Sequence, residues 1–251
     1  KYLFIKDKIK SLNFEKTEFN INYGKDRKKL IKLKGLYRFN EGIFQKFNFE
    51  TSYNAKLQTF LIDGDFDNEI FVPLFNFNSK NKVVKISTLI ETKKNIINLK
   101  KFNLKEGNNI IDLNNLLIKN NKLSKFDKIS VKTFSNNKFN NDFTVSFEEK
   151  IKVKGSKYDA TNLTKFLDQS GNDDFLVNVN KELIVNIKEI STNVSDVISN
   201  FNLIGYIDRG KFNKIISKGE FKDGKYLDIA LRIDKTSKKK ILEIYSDFPE
   251  P

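Results

Sequence analysis

Apolar residues recur at every second position along most of this chain, in short segments separated by turn-forming residues. Successive side chains of a β-strand point to opposite faces, so this alternation gives each segment one apolar and one wet face. Ile31, Leu33, Tyr37 and Phe39 stand against Lys32, Lys34 and Arg38. Phe47, Phe49 and Tyr53 oppose Lys46, Asn48 and Glu50, and Phe60, Ile62 and Phe66 oppose Asp63 and Asp65. Val84, Ile86 and Ile90 follow, then Ile129 with Val131, then Phe143, Val145 and Phe147, then Ile151 with Val153. The rhythm continues through Val177 and Val179, Val185 and Ile187, and Phe201, Leu203 and Ile207. It closes with Ile215 and Phe221, then Leu227, Ile229, Leu231 and Ile233.

Turn signals punctuate these runs: Glu41-Gly42, Glu106-Gly107-Asn108-Asn109, Ser135-Asn136-Asn137, Gly171-Asn172-Asp173-Asp174 and Asp223-Gly224. A repeat of about 8–14 residues per unit is that of an antiparallel meander, not of alternating strands and helices. Two segments break the pattern. Asp159 to Leu167 places Leu163, Phe166 and Leu167 at helical spacing behind an Asp159 N-cap, which predicts a helix of two or three turns. Val194 to Phe201 predicts a second, shorter helical turn. No shift in composition marks a boundary, so residues 1–251 read as one continuous segment.

About a dozen amphipathic strands present an apolar face that one short helix is too small to cover. Either the sheet folds over as a closed sandwich or barrel, or part of the face stays open to an apolar occupant. The closed sandwich is the default on these grounds alone.

Composition removes several chemistries. The chain has no His, Cys, Met or Trp, but 24 Phe and 8 Tyr. A Ser-His-Asp triad, a thiol nucleophile, a Cys/His zinc site and a disulfide framework are all impossible. No apolar run approaches the roughly 18 residues of a membrane helix. The net charge of +14 favours anionic partners, yet among the basic residues only Arg27, Arg38, Arg209 and Arg232 are Arg. Phosphate recognition prefers the bidentate Arg fork, so no nucleic-acid partner is expected. The basic runs Lys25-Asp26-Arg27-Lys28-Lys29 and Lys235 to Lys240 read as solvated hairpin loops.

Asp63-Gly64-Asp65-Phe66-Asp67-Asn68-Glu69 spaces its acids like a calcium loop, but Asn68 stands where an EF-hand needs Gly and Leu74 where it needs Glu. It reads as a strand end entering an acidic turn. No phosphate-cradling glycine motif occurs. Catalytic residues, metal ligands and cofactors are therefore expected to be none, and the Phe-rich apolar face is the one feature with functional promise.

Two stretches resemble the AsmA-like superfamily of YhdP/TamB type. They are Asn140 to Leu167 (NNDFTVSFEEKIKVKGSKYDATNLTKFL) and Gly224 to Pro251 (GKYLDIALRIDKTSKKKILEIYSDFPEP). The resemblance implies an all-β fold: an extended, curved antiparallel meander sheet with an apolar groove and one or two short helices. It implies a non-enzymatic segment of an intermembrane phospholipid conduit, periplasmic in a Gram-negative envelope. The tether to the inner membrane would lie in a part of the protein outside this chain. Acyl chains would then line Ile31, Leu33, Tyr37, Phe39, Phe47, Phe49, Phe60, Ile62, Val84, Ile86, Ile129, Val131, Phe143, Val145, Phe147, Ile151, Val153, Phe201, Leu203, Leu227, Ile229 and Leu231. The alternative is a structural or interaction β-sandwich whose apolar face is ordinary closed core.

Overall fold

The computed structural model describes the chain apart from residues 1–3, 6–9, 25–28, 55, 81, 136–137, 164–173, 194–196, 222–223, 235, 238 and 248–251. Nearly all of it is strand. The chain runs through β1 (Phe4–Ile5), β2 (Leu12–Tyr23), β3 (Lys29–Phe39), β4 (Gln45–Tyr53) and β5 (Gln58–Phe66). A small insertion follows, made of β6 (Ile70–Val72), a 3-10 turn at Pro73–Phe75 and β7 (Phe77–Asn78). Next come β8 (Val84–Lys93), β9 (Ile96–Glu106), β10 (Asn109–Lys119), β11 (Lys122–Lys125), β12 (Lys128–Ser135), β13 (Lys138–Phe147) and β14 (Ile151–Asp159). The C-terminal strands are β15 (Lys181–Ser191), β16 (Ile198–Asp208), β17 (Lys211–Glu220), β18 (Tyr226–Ile233) and β19 (Lys240–Ser246).

These strands build a curved meander that does not close into a barrel. Its 16-stranded sheet runs in the order β19-β18-β17-β16-β15-β14-β13-β12-β10-β9-β8-β5-β4-β3-β2, with β11 hung on β10. Short hairpin connections make nearly every neighbour pair antiparallel, because two adjacent strands joined by a tight turn must reverse direction. At roughly 4.8 Å between neighbours, the fifteen strands of this path span about 65–70 Å. A second sheet of three short strands, β1-β6-β7, stands apart from it.

Three expectations are corrected. The meander is not wholly antiparallel: β14 and β15 pair in parallel, with Ile151 beside Leu183 and Val153 beside Val185. A parallel pair needs a crossover, and residues 160–180 supply it. The helical turn expected over Val194 to Phe201 is instead strand from Ile198 onward, since Ile198–Asp208 pairs with β15 along its length. Val177 and Val179 belong not to a strand but to a turn after the 3-10 segment Asp174–Leu176, where the Val179 N–H donates to the Leu176 carbonyl at 2.8 Å.

The helix expected at Asp159–Leu167 is described only as far as Leu163, which is helical. Asp159 ends β14 in extended backbone, and its carboxylate accepts the Thr161 N–H at 3.1 Å. The Leu163 N–H then donates to the Ala160 carbonyl at 2.9 Å. Positions 164–167 lie outside the described residues, as do 194–196 at the start of the second expected helical turn, 25–28 of the first basic run and 235 and 238 of the second.

Candidate functional site

Residues directly opposite each other in a ladder share a sheet face, so the register decides which side chains lie together. Phe60 pairs with Ile90 and Phe66 with Val84; Ile86 pairs with Leu104, Leu104 with Ile111, and Ile111 with Val131. Val131 pairs with Phe143, Val145 with Val153, Val153 with Val185 and Val185 with Leu203. On one flank Phe49 pairs with Leu33 and Ile62, and on the other Ile229 pairs with Ile244. Every residue expected to line the groove, from Ile31 to Leu231, therefore lies on one face of the same sheet.

The opposite face is ion-paired and wet. Lys32 reaches Glu50 at 2.8 Å, Lys157 reaches Glu189 at 3.0 Å, and Arg232 reaches Glu243 at 2.7 Å. Asp63 and Asp65 belong to it too, beside Ser87 and Lys85. That face also carries one apolar row across four strands: Ile184, Ile204, Ile216 and Ala230 are successive ladder partners.

Two pieces of the chain roof the middle of the apolar face. The insertion brings Ile70, Val72, Phe75 and Phe77 down onto Val84, Leu104, Ile111, Val131 and Phe143. The Asn76 residue that closes its 3-10 turn has φ of 50°, a left-handed conformation that Asn adopts more readily than most residues. At the other rim, Leu123 and Phe126 join Val179 over Ile151, with Phe147, Phe175 and Leu183 packed against them.

The roof is fastened by amides. Asn141, fully buried, donates from Nδ2 to the Phe75 carbonyl at 2.7 Å and to Thr133 Oγ1 at 2.8 Å. Its Oδ1 accepts the Asp159 N–H at 2.9 Å. Asn76 Nδ2 donates to Asp159 Oδ2 at 2.9 Å, and the Tyr158 hydroxyl donates to the Leu74 carbonyl at 2.7 Å. Burial, reinforced by the neighbouring Asp159 charge, pushes the Tyr158 phenol well above its ordinary pKa.

Beyond the roof the apolar face lies open at both ends. On β2 it exposes Leu12, Phe14, Phe19, Ile21 and Tyr23 at 43–72 %. Behind them stands an aromatic platform: Phe14 meets Phe47 at 5.5 Å between ring centroids, Tyr37 meets Phe47 at 5.8 Å, and Phe39 meets Phe66 at 5.6 Å. Tyr37 also donates to the Asp65 carbonyl at 2.6 Å; burial, then the charges of Asp67 and Asp65, raise its phenol to about 12. The other end is aliphatic, with Leu242 and Ile244 of β19 at 58 % and 62 % exposure beside Leu231 and Ile229.

A polar cavity of about 960 Å³ sits at the rim between the insertion and the β9–β10 and β12–β13 hairpins. Several of its polar groups already serve one another. Glu106, nearly buried, ion-pairs with Lys82 at 3.2 Å and accepts from the Asn109 amide, whose own oxygen accepts the Phe134 N–H at 2.6 Å. Among the described residues no group of three or more acids is placed to hold a metal ion.

Sequence reasoning missed β2, β9 and β10, and with them Phe14, Phe19, Phe102, Leu104, Ile111, Leu113 and Leu116 of the apolar face. No family model matches this chain, and neither a curated protein nor a solved structure is similar to it.

Proposed function

We propose that the apolar face shelters the acyl chains of phospholipids, and that the protein is a non-enzymatic segment of an intermembrane lipid conduit. The reading places it in the periplasm, with attachment to the inner membrane through a part of the protein outside this chain. One observation carries it: a single apolar face extends across the whole 16-stranded sheet and stays uncovered at both ends. Exposed contiguous apolar surface on that scale is costly in water, and acyl chains would relieve it at about 25 cal/mol per Å². The strands keep their backbone hydrogen bonds while alternate side chains face the occupant, so a lipid would need no polar partner along the track.

The roofed centre supports a second reading, a structural or interaction domain with ordinary core. There the insertion and the crossover fill the face with the chain's own side chains, from Ile70 to Phe77 on one rim and from Leu123 to Val179 on the other. The two readings part at the ends of the sheet. Phospholipid carrying a photoreactive acyl chain should crosslink at Phe14, Phe19, Leu242 and Ile244, and not at Asn13 or Glu243 on the wet face. Crosslinks spread equally over both faces, or none at all, would leave the structural reading standing.

A further inference from the structure

On the wet face, successive ladder partners form one polar row: Lys154, Asn186, Asn202, Lys218, Asp228 and Tyr245. The side chains of Lys154, Asn186, Lys218 and Asp228 make no hydrogen bond or ion pair among the described residues. Two shallow cavities lie over the row and meet at Asn200 and Asn202. One of about 380 Å³ extends toward Lys154, and one of about 470 Å³ toward Tyr245.

A bulge shapes the middle of this groove. Pairing of β16 with β17 slips between Ser199 and Asn202, and Asn200 sits at φ of 51°. Asn200 Nδ2 donates to Glu220 Oε2 at 2.8 Å, and Asn202 Nδ2 donates to the Asn200 carbonyl at 2.7 Å. Both amides are thereby held in place, while Asn202 Oδ1 has no partner among the described residues. At the far end Tyr226 and Tyr245 are each more than half exposed. Asp247 fixes both, accepting the Tyr226 N–H at 2.8 Å and the Tyr245 hydroxyl.

Two residues along each strand, roughly 6.6 Å away, runs the apolar row of Ile184, Ile204 and Ile216. Ile204 and Ile216 are more than half exposed in the middle of a wet face, where water gives them no favourable partner.

We infer that these two rows form a binding site for an N-acetylated oligosaccharide. A sugar ring is amphipathic: its C–H faces pack on aromatic rings such as Tyr226 and Tyr245, and its hydroxyls bond amide, ammonium and carboxylate alike. An acetamido group sets an amide beside a methyl, and Asn202 beside Ile204 offers the matching pair of surfaces. Charge selects against a polyanion. Glu220, Asp228 and Asp247 surround the two tyrosines and repel phosphates there, so stacked bases of a nucleic acid are disfavoured where a neutral chain is not. The site lies on the face opposite the apolar one, and the inference does not depend on what that face binds.

The test is isothermal titration calorimetry of the purified chain with chitotetraose, the tetramer of N-acetylglucosamine. Cellotetraose, in which each acetamido group is a hydroxyl, and an oligothymidylate serve as comparisons. Saturable binding of chitotetraose is expected, with cellotetraose weaker and the oligothymidylate silent. A Tyr226→Ala/Tyr245→Ala variant with unchanged circular dichroism should bind at least about tenfold more weakly. Asn186→Ala/Asn202→Ala should lose the preference for chitotetraose over cellotetraose, and Phe19→Lys, on the opposite face, should bind as wild type does. No saturable binding at millimolar chitotetraose would overturn the inference. So would equal affinity for cellotetraose, tighter binding of the oligothymidylate, or a loss in Phe19→Lys as large as in the tyrosine variant.

Discussion

The side-chain amide of Asn141 donates to the backbone carbonyl of Phe75, 66 residues earlier in the chain, at 2.7 Å. It is the central fastening between the insertion and the sheet, because the same side chain also engages Thr133 and the backbone of Asp159.

Asn141→Ala leaves the Phe75 carbonyl and the Asp159 N–H buried without this partner. The expected loss is roughly 2–4 kcal/mol of unfolding free energy in chemical denaturation. Hydrogen exchange should accelerate first in residues 70–79, the part of the roof that this amide holds. Uniform acceleration over the whole sheet would mean the insertion has no separate fastening.

Gly155 stands opposite Phe143 in the ladder, and the ring of Phe143 packs edge-on against Tyr158 at 5.4 Å. A Cβ at position 155 would come within 2.3 Å of the Asp142 carbonyl oxygen and 2.5 Å of the Phe143 Cβ. Backbone cannot yield as a side chain does, so Gly155→Ala should cost about 2 kcal/mol or more. Gly107→Ala, in the β9–β10 turn, meets nothing within 4 Å and should cost only the strain of its φ of 56°. Thermal melts of the two variants compare these causes directly.

Alkaline pH should loosen both ends of the insertion's surroundings. Tyr37 and Tyr158 titrate above the unfolded value of about 10, so each contributes stability that is complete below that pH. For Tyr37 this contribution is lost as pH rises through about 12. A Tyr37→Phe/Tyr158→Phe variant should be less stable at neutral pH and lose less on raising the pH from 9 to 11.5. Parallel curves for variant and wild type would show that neither phenol is linked to folding.

Charges on the two parts of the apolar face should act oppositely. Val131, only 2 % exposed beneath the insertion, faces Ile111 and Phe143, so Val131→Asp should abolish cooperative folding. Phe19→Lys and Ile244→Lys, at 58 % and 62 % exposure, should melt within about 1 kcal/mol of wild type. Val145 and Val153 contact the roofed cluster, so charges there also test core packing and not an open surface.

The all-β architecture and the membership of the apolar face were legible wherever the alternation kept one phase. It was lost where bulges change that phase. In β9, Ile97 and Leu99 share a face with Phe102 and Leu104 because Lys100 is an extra residue; in β10, Leu113 and Leu116 do so around Asn115, at φ of 51°. A reader expecting strict period two sees a break there, while the backbone absorbs it in a single residue. The insertion was illegible for another reason: β6 and β7 have three and two residues, too short for any periodicity. The parallel pairing of β14 with β15 depends on the path of the crossover, and alternation carries no information about strand direction.

Native mass spectrometry with lipid extraction, on protein purified from a Gram-negative host without harsh detergent, asks directly whether the apolar face carries lipid. Stoichiometric phospholipid, reduced in Phe19→Lys and Ile244→Lys proteins that remain folded, is the predicted result. A lipid-free protein that folds cooperatively and takes up no phospholipid from vesicles would contradict it.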